Sequence, residues 1–309
     1  MLKNKDLLSI KDLSPAEIYE ILALTKALKK KGITKDLAGK TIGMLFKKSS
    51  TRTRVSFEVA MTQLGGHSIF LDPEDVQLNR GESLGDTARV LSRYVDAMVI
   101  RTFEHKEIED FARYASIPVI NGLSDWSHPC QVMSDMYTIV EKKKKLKGLK
   151  IAYIGDGSNN MATSWLFGAA KMGMHLTLAT PDGYPPDARA MKLVKEMTAP
   201  GALIEVFHDP MRAATGADVL YTDVWVSMGQ EKEEATRVET FTPYQVNRRL
   251  LERAKPGCLV MHCLPAHRGQ EITDDVLESR QSIVFDQAEN RLHVQKAILK
   301  LLLTRKSKS

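Results

Sequence analysis

The sequence has its densest group of chemically active side chains in the run Lys47-Lys48-Ser49-Ser50-Thr51-Arg52-Thr53-Arg54. The run follows an apolar segment typical of a strand and opens a segment with helical spacing, so we expect it at a helix N-terminus. Backbone N–H groups at such a terminus bind anions, and the guanidinium group of arginine matches a phosphate. The run predicts a phosphate site, with a simple helix cap and surface arginines as the alternative. It lacks the glycine pattern of a Walker A loop.

Three more polar sites follow predicted strands in the same half of the chain. They are Gln77, Arg101 and the segment His128-Pro129-Cys130-Gln131. Because ligands of open α/β sheets bind at the carboxyl ends of the strands, we expect these side chains near the phosphate site. An anion that carries a carbonyl group needs several donors at once, and this set would supply them. Each residue alone also has a structural explanation, as a surface arginine, a loop glutamine or a turn histidine.

The segment 155–160, Gly-Asp-Gly-Ser-Asn-Asn, follows a predicted strand and opens a predicted helix in the second half. A dinucleotide-binding fingerprint would need a third glycine where Asn160 stands, and an acid where Ala179-Thr180 ends the next strand. A nicotinamide enzyme is therefore disfavoured. Asn160 would either cap the helix or offer its amide to a carboxylate or an amine.

Asp223 ends another predicted strand, and Ser227, Met228 and Gly229 follow it in a loop. A carboxylate in that position suits an ammonium group. The alternative is that Asp223 caps a turn while Trp225 and Met228 belong to the core.

The segment His262-Cys263-Leu264-Pro265 ends the last predicted strand. His262, Cys263 and His267 lack the spacing of a zinc site, so no metal is predicted. Cys263 is expected to be either an inert buried thiol or a thiol that basic side chains ionise for contact with a cationic substrate.

The elements that would position these residues alternate between short apolar runs and helical segments. Such alternation is typical of βα units on parallel sheets, and its restart after a lysine-rich stretch indicates a second domain. We predict two doubly wound parallel-sheet α/β domains, residues 1–138 and 139–309, with an active-site cleft between them. A closing helix at about 290–304 is expected to pack back on the first domain. The predicted strands are 41–46, 68–71, 97–100, 118–120, 150–154, 176–179, 203–207, 219–223 and 259–264, and predicted helical segments include 55–64, 84–94 and 132–145.

Composition excludes several classes of protein. The 309 residues, 27% charged and 43% hydrophobic, can form a substantial core, and three cysteines do not make a disulfide framework. Neither a membrane span nor a signal peptide is predicted, so we expect a cytoplasmic protein. The net charge of +6 includes the isolated run Lys142-Lys143-Lys144-Lys145, and aromatic residues make up only 6% of the chain. A nucleic-acid-binding protein is expected to carry a continuous basic stripe with interleaved aromatic residues. This sequence has neither, so nucleic-acid binding is not predicted.

As a set, these motifs resemble the ornithine branch of the aspartate/ornithine carbamoyltransferase family, in the same order and spacing over nearly the whole chain. The serine–threonine–arginine run, Arg101 and the His-Pro-Cys-Gln segment resemble transcarbamylases generally. Asp223 with Ser227-Met228-Gly229, and the His-Cys-Leu-Pro segment, resemble the ornithine enzymes. One departure is Gln287, where an acid would be expected; Arg291, four residues later, is in place.

The resemblance implies that the first domain binds carbamoyl phosphate and the second binds L-ornithine, without a metal or organic cofactor. Thr53, Arg101 and His128 would donate to the carbonyl oxygen as it becomes an oxyanion, with Cys263 beside them at the catalytic centre. The implied carbamoyl phosphate residues are Ser50, Thr51, Arg52, Thr53, Gln77, Arg101, His128, Gln131, Cys263, Leu264 and Arg291. The implied ornithine residues are Asn160, Asp223, Ser227 and Met228, with Asn159 as a further candidate.

The resemblance also implies a homotrimer in which the loop carrying Gln77 enters a neighbouring subunit's site, and a role in arginine biosynthesis. A carbamoyltransferase with another acceptor, such as putrescine, an acylated ornithine or aspartate, is the first alternative. A nonenzymatic anion-binding protein is the second.

Overall fold

The computed structural model describes residues 2–72, 81–227 and 229–304. The chain forms two compact units. Unit 1 comprises Met1–Tyr137 and Glu289–Ser309, and unit 2 comprises Thr138–Ala288.

Unit 1 is built on a parallel sheet of four strands in the order β2-β1-β3-β4. The chain progresses in opposite directions on either side of the β1/β3 pair, and in such sheets ligands bind at the carboxyl ends of that pair. Its elements are α1 (Pro15–Lys31), β1 (Thr41–Phe46), α2 (Thr51–Gln63), β2 (His67–Leu71), α3 (Leu84–Leu91), β3 (Ala97–Arg101), α4 (His105–Tyr114), β4 (Val119–Leu123) and the first part of α5 (Pro129–Lys143).

Unit 2 repeats this plan with five parallel strands in the order β7-β6-β5-β8-β9. Here the direction reverses between β5 and β8. Its elements are the end of α5, β5 (Lys150–Ile154), α6 (Asn160–Met172), β6 (His175–Ala179), α7 (Ala188–Met197), β7 (Leu203–Phe207), α8 (Pro210–Ala214), β8 (Val219–Thr222), α9 (Glu234–Phe241), α10 (Arg248–Leu251), β9 (Leu259–His262), α11 (Asp274–Leu277) and the start of α12 (Val284–Leu303), whose remaining residues belong to unit 1.

The cores lie against the central strands. All five residues of β3 and the last four of β5 are buried, because helices cover both faces of a parallel sheet. In unit 1, β3 packs with α3 and α4 through residues such as Ala88, Ile108 and Phe111. In unit 2 the sheet packs with α8, α10 and α11 through residues such as Leu250 and Val276.

The structure confirms the predicted fold class of two parallel-sheet α/β domains. Strands β1, β5 and β7 have the predicted bounds. Helix α2 begins at Thr51 with Ser50 as its cap, within the polar run where a helix start was predicted. Other helix ends were predicted wrongly: α3 ends at Leu91, and α12 begins at Val284.

Within the described ranges, no helix has both the length and the apolar character required to cross a membrane.

Candidate active site

The serine–threonine–arginine run begins α2, directly after β1. Ser50 is the N-cap, and its hydroxyl accepts a hydrogen bond from the backbone N–H of Thr53 at 3.2 Å. Thr51 and Arg52 form the first turn of the helix. The cap satisfies one of the four N–H groups that a helix N-terminus leaves unbonded. The helix cap and the anion site predicted from the sequence are therefore compatible.

Arg291, on α12, completes a cluster with this helix start. Its Nη2 donates to Thr53 Oγ1 at 2.7 Å, and its Nη1 donates to Gln131 Oε1 at 2.6 Å. The arginine is buried, so its charge is poorly screened by water. An anion at the start of α2 would be attracted both by this charge and by the helix N-terminus.

Gln131 is oriented by Asp135, a buried residue that the sequence analysis did not single out. Gln131 Nε2 donates to Asp135 Oδ1 at 2.8 Å, which turns the amide oxygen towards Arg291. The two residues stand four apart on α5, the spacing at which helical side chains meet. That spacing was the available sequence signal for Asp135.

His128 lies in the same cluster, one residue before α5. Burial, with the charges of Arg291 and Arg101, holds the pKa of His128 well below its usual range. His128 Nε2 is 3.4 Å from Arg291 Nη1, and because arginine only donates, this nitrogen accepts. In a neutral ring the proton then lies on Nδ1, which is the donor that His128 can offer to a carbonyl oxygen.

Arg101 and Lys48 add further positive charge at this edge of the sheet. Arg101 is the buried last residue of β3. Lys48, between β1 and α2, is also buried, and its ammonium lies 4.4 Å from the centre of the Phe103 ring. Lys48 belongs to the polar run singled out in the sequence, but no separate role was predicted for it. Together with Arg52 and Arg291, these side chains make the edge suited to an anion.

In unit 2 the corresponding edge carries a buried carboxylate, Asp223, directly after β8. Its Oδ1 accepts from the Cys263 thiol and from the backbone N–H of Val224, both at 2.8 Å. Burial raises the pKa of Asp223 above its usual value, although these hydrogen bonds oppose the shift. A carboxylate in this environment gains from a cationic ligand, which would restore its preference for the charged form.

The contact between Asp223 and Cys263 follows from strand pairing. The last pair in the β8/β9 register joins Thr222 to His262, so the next residue of each strand falls beside the other. The thiol donates to this carboxylate, a contact that fits the neutral thiol better than the ionised thiol among the two forms expected from the sequence.

Asn159 rather than Asn160 caps α6. Its Oδ1 accepts from the N–H of Ala162 at 2.8 Å and from the hydroxyl of Tyr153 at 3.0 Å. Its Nδ2 points to Asp223 Oδ2 at 3.4 Å. Asn160 is the first residue of the helix, beside this group, so the cap interpretation of Asn160 is wrong.

Glu271, absent from the sequence analysis, holds the segment after β9. Its Oε1 lies 3.0 Å from His262 Nε2 and accepts the N–H of His267 at 2.6 Å. His262 Nδ1 accepts the N–H of Leu264 at 2.8 Å, which places the proton of the neutral ring on Nε2. Leu264 has a left-handed φ of 58°, which this bond holds in place. Glu271 stands in a loop without periodicity, so the sequence offered no signal for it.

Gln287, the departure from the family pattern, is buried beneath this segment. Its Oε1 accepts the backbone N–H of His262 at 3.0 Å, and its Nε2 donates to the Tyr221 hydroxyl at 3.3 Å. A carboxylate at this position could accept the His262 N–H but could not donate to the Tyr221 oxygen. The amide of Gln287 makes both bonds, one as acceptor and one as donor.

The predicted residues form one cluster in each unit. Thr53, His128, Gln131 and Arg291 are joined in unit 1. Asp223 and Cys263 are joined in unit 2, and the half-buried Ser227 follows them with its N–H bonded to Gln230 Oε1 at 3.0 Å. Gln77 and Met228 lie outside the described residues.

Asp223, His262 and Cys263 could also be considered as metal ligands, because their ligand atoms lie within 4.8 Å of one another. Both ring nitrogens of His262 already have partners, Glu271 and the N–H of Leu264. The ring would have to give up one of these bonds to bind a metal.

Comparison with known proteins finds two family models that together match most of the chain. Residues 5–141 match the aspartate/ornithine carbamoyltransferase carbamoyl-P binding domain. Residues 147–302 match the aspartate/ornithine carbamoyltransferase Asp/Orn binding domain.

Similar proteins cover almost the full length. The ornithine carbamoyltransferase of Pyrococcus abyssi is 55% identical over 307 residues, 98% of this chain and 96% of that protein. The anabolic ornithine carbamoyltransferase of Pyrococcus furiosus is 53% identical over 98% of this chain and 97% of its own length. A solved structure of ornithine carbamoyltransferase from Pyrococcus furiosus superposes with a TM-score of 0.91 at 54% identity, covering 95% of each chain.

Proposed function

Because the chain belongs to the aspartate/ornithine carbamoyltransferase family, we propose that it transfers the carbamoyl group of carbamoyl phosphate to the δ-amino group of L-ornithine. The products are L-citrulline and phosphate. The observation that carries the choice of acceptor is the buried carboxylate of Asp223, in the unit that matches the Asp/Orn binding domain. It suits the free α-ammonium group of ornithine, which putrescine and α-N-acylated ornithine both lack.

Carbamoyl phosphate binds to unit 1 in this proposal. The start of α2, from Ser50 to Thr53, holds the phosphate, with Arg101 and Gln77 completing the anion site. Gln131 and Arg291 contact the carbamoyl group, and Cys263 and Leu264 are assigned to the same substrate. The arginine charges and helix N–H groups of unit 1 support this assignment.

The reaction itself is an attack on a carbonyl. The neutral δ-amine forms a C–N bond to the carbamoyl carbon, and the carbonyl oxygen becomes an oxyanion that Thr53, Arg101 and His128 stabilise. The C–O bond to phosphate then breaks, and the proton lost by nitrogen passes to the leaving phosphate. Holding both substrates in attack geometry supplies much of the acceleration, up to about 7–11 kcal/mol in favourable model systems.

Ornithine binds to unit 2. Asp223 pairs with its α-ammonium group, while Asn160, Ser227 and Met228 position the rest of the amino-acid end. Asn159 holds Asp223 through the 3.4 Å contact. Excluding water from the δ-amine would lower its pKa, which favours the neutral nucleophile.

Steady-state assays of the purified protein with carbamoyl phosphate and four acceptors test the proposal. The acceptors are L-ornithine, putrescine, Nα-acetylornithine and L-aspartate. We expect the highest kcat/KM with ornithine and citrulline as the product. A higher kcat/KM with another acceptor would contradict the assignment of ornithine, and no carbamoylated product with any acceptor would favour an anion-binding protein without this activity.

We also propose a homotrimer in which Gln77 serves a neighbouring subunit. A cyclic trimer has heterologous contacts, so it can pass the same loop around the ring. An Arg101→Ala variant and a Gln77→Ala variant, unfolded and reassembled together, would then form some sites with both residues intact, about one in four under random mixing. Activity should return in the mixture. If it stays at the level of the parents while a refolded wild-type control recovers, the shared site is wrong.

We place this activity in arginine biosynthesis. Citrulline formation from ornithine extends the amino acid towards a guanidino group, and the description of the Pyrococcus furiosus relative as anabolic supports the synthetic direction.

A further inference from the structure

The residues proposed to hold ornithine come from two separate segments of unit 2. Asn160 follows the turn between β5 and α6, and Asp223 and Ser227 lie in the segment after β8. A binding site assembled from two segments keeps its affinity only if their spacing is fixed to within a fraction of an ångström. A group that bonds to both segments would fix that spacing.

Arg237, on α9, bonds to both. Its Nε donates to the backbone carbonyl of Trp225 at 2.6 Å, two residues before Ser227. Its Nη2 donates to Oδ2 of Asp156, four residues before Asn160. One planar guanidinium group thus joins the segment after β8 to the turn before α6.

Asp156 connects Arg237 to the turn before α6. Its other oxygen, Oδ1, accepts from the backbone N–H of Ser158 at 2.8 Å and from the Ser158 hydroxyl at 2.6 Å. The turn is also tightly packed, because a Cβ on Gly157 would lie 2.8 Å from the carbonyl oxygen of Tyr184. A shift of Asp156 would therefore be passed on to the start of α6.

The pair is enclosed by protein. Arg237 and Asp156 are only 3% and 2% exposed. The guanidinium carbon lies 4.8 Å from the centre of the Tyr184 ring and 5.3 Å from that of Phe241. Burying two charges is costly, and packed apolar residues often stabilise a fold as well or better. A role in fixing the spacing of the two segments explains why a charged guanidinium group is buried here.

We propose that Arg237 is a positioning residue for the amino-acid substrate: it fixes the spacing between Asn160 on one side and Asp223 and Ser227 on the other. This inference rests on the proposed function and identifies Arg237 as the residue that fixes the geometry of the ornithine site. Arg237 acts through the two segments and touches neither the reacting carbon nor the phosphate site. Its loss should therefore weaken ornithine binding more than it slows turnover.

The test is Arg237→Lys. Lysine keeps the positive charge for Asp156 but lacks the Nε–H and the planar fork, so it cannot bond to Asp156 and the Trp225 carbonyl in the same geometry. We expect KM for ornithine to rise about tenfold, the effect of one lost hydrogen bond to a charged group. KM for carbamoyl phosphate and kcat at saturating ornithine should stay within about threefold of wild type, a difference worth less than one such bond.

A matched control is Asp218→Asn, which weakens another ion pair of unit 2. Asp218 binds Lys255 Nζ through both oxygens at 2.9 Å, and it precedes β8, at the opposite end of the strand from Asp223. We expect this variant to lower Tm without changing KM for ornithine. The comparison separates a loss of stability from a loss of positioning.

Asp156→Asn provides a second test if Arg237→Lys does not fold. It keeps an acceptor for Ser158 but removes the charge that holds Arg237, so KM for ornithine should rise in the same direction. An unchanged KM for ornithine in the folded variant, or an equal rise in KM for both substrates, would overturn the positioning role. If wild-type protein forms no citrulline, the proposed function fails, and that outcome is distinct from active variants with unchanged KM.

Discussion

The two ligand clusters occupy the same position in their sheets but carry opposite charge. In unit 1, residues at or just after the ends of β1, β3 and β4 lie at the edge where α2 begins, a helix start rich in arginine. In unit 2, residues that follow β5, β8 and β9 surround the carboxylate of Asp223. One sheet plan therefore carries positive charge at the strand ends of one unit and a buried carboxylate at those of the other, which is why we propose an anion for the first and a cationic group for the second.

The clusters also differ in how firmly their charge is fixed. Arginines stay charged in proteins, and burial together with these charges keeps the pKa of His128 low and its ring neutral. Asp223 is bonded to a thiol, an amide and a backbone N–H rather than to an arginine, and burial raises its pKa although the charge of His262 opposes the shift. Unit 1 thus offers permanent charge, whereas the charge of unit 2 depends on pH and on its ligand.

The strongest test of this contrast is Arg101→Ala. If the permanent charge stabilises the oxyanion, kcat should fall by about 10²–10³-fold, or roughly 3–4 kcal/mol of transition-state stabilisation. Ornithine binding, measured by calorimetry, should change far less. A near-normal kcat would show that Arg101 does not contact the developing charge.

Asp223→Asn tests the other side of the contrast. The amide keeps hydrogen bonds but removes the negative charge, so the preference for ornithine over putrescine should fall by about tenfold or more. The measurement is the ratio of kcat/KM for the two acceptors. If ornithine keeps its full advantage, another group recognises the α-ammonium.

A pH profile should show the dependence of Asp223 on ionisation. In log(kcat/KM) for ornithine, the δ-amine alone gives a rise of about one unit per pH unit. Asp223 must also be ionised to pair with the α-ammonium, so below its raised pKa the slope should approach two. In Asp223→Asn the slope should stay near one over the whole pH range. If the slope still approaches two at low pH in this variant, a group other than Asp223 causes the steeper dependence.

The smallest expected effect is that of His128 on the free energy of unfolding. Its folded pKa is depressed, so its contribution to the free energy of unfolding is present above the unfolded pKa of about 6.5 and is lost as pH falls below it. The loss is at most about 1.4 kcal/mol per pH unit. Urea titrations at pH 7 and 5.5 should show a steeper loss in wild type than in His128→Gln, whereas equal losses would mean that the ring takes up its proton without unfolding.

The central strands could be predicted from the sequence because burial on both faces of a parallel sheet produces continuous apolar runs. Residues at the ends of those strands were predicted near the binding sites for the same reason: Arg101 is the last residue of β3, and Asp223 directly follows β8. The start of α6 was predicted less well, since the cap is Asn159 rather than Asn160 and apolar spacing does not distinguish the two.

Partners distant in sequence could not be predicted from local patterns. The environment of Cys263 depends on which residue of β8 pairs with His262, and only the register of the sheet places Asp223 beside the thiol. Glu271 holds His262 from an irregular loop, where no period marks a functional residue. Asp135 was within reach, because it lies one helical turn from Gln131.

The bonds of Arg291 have a consequence for the order in which the molecule forms during translation. Its partners Gln131 and Thr53 precede it by 160 and 238 residues. The ribosome makes both of them, and then all of Thr138–Ala288, before this arginine leaves the exit tunnel. A nascent chain can therefore complete the carboxylate cluster of Asp223 and Cys263 while the anion cluster still lacks one of its cations, so the site encoded first is the last to be assembled.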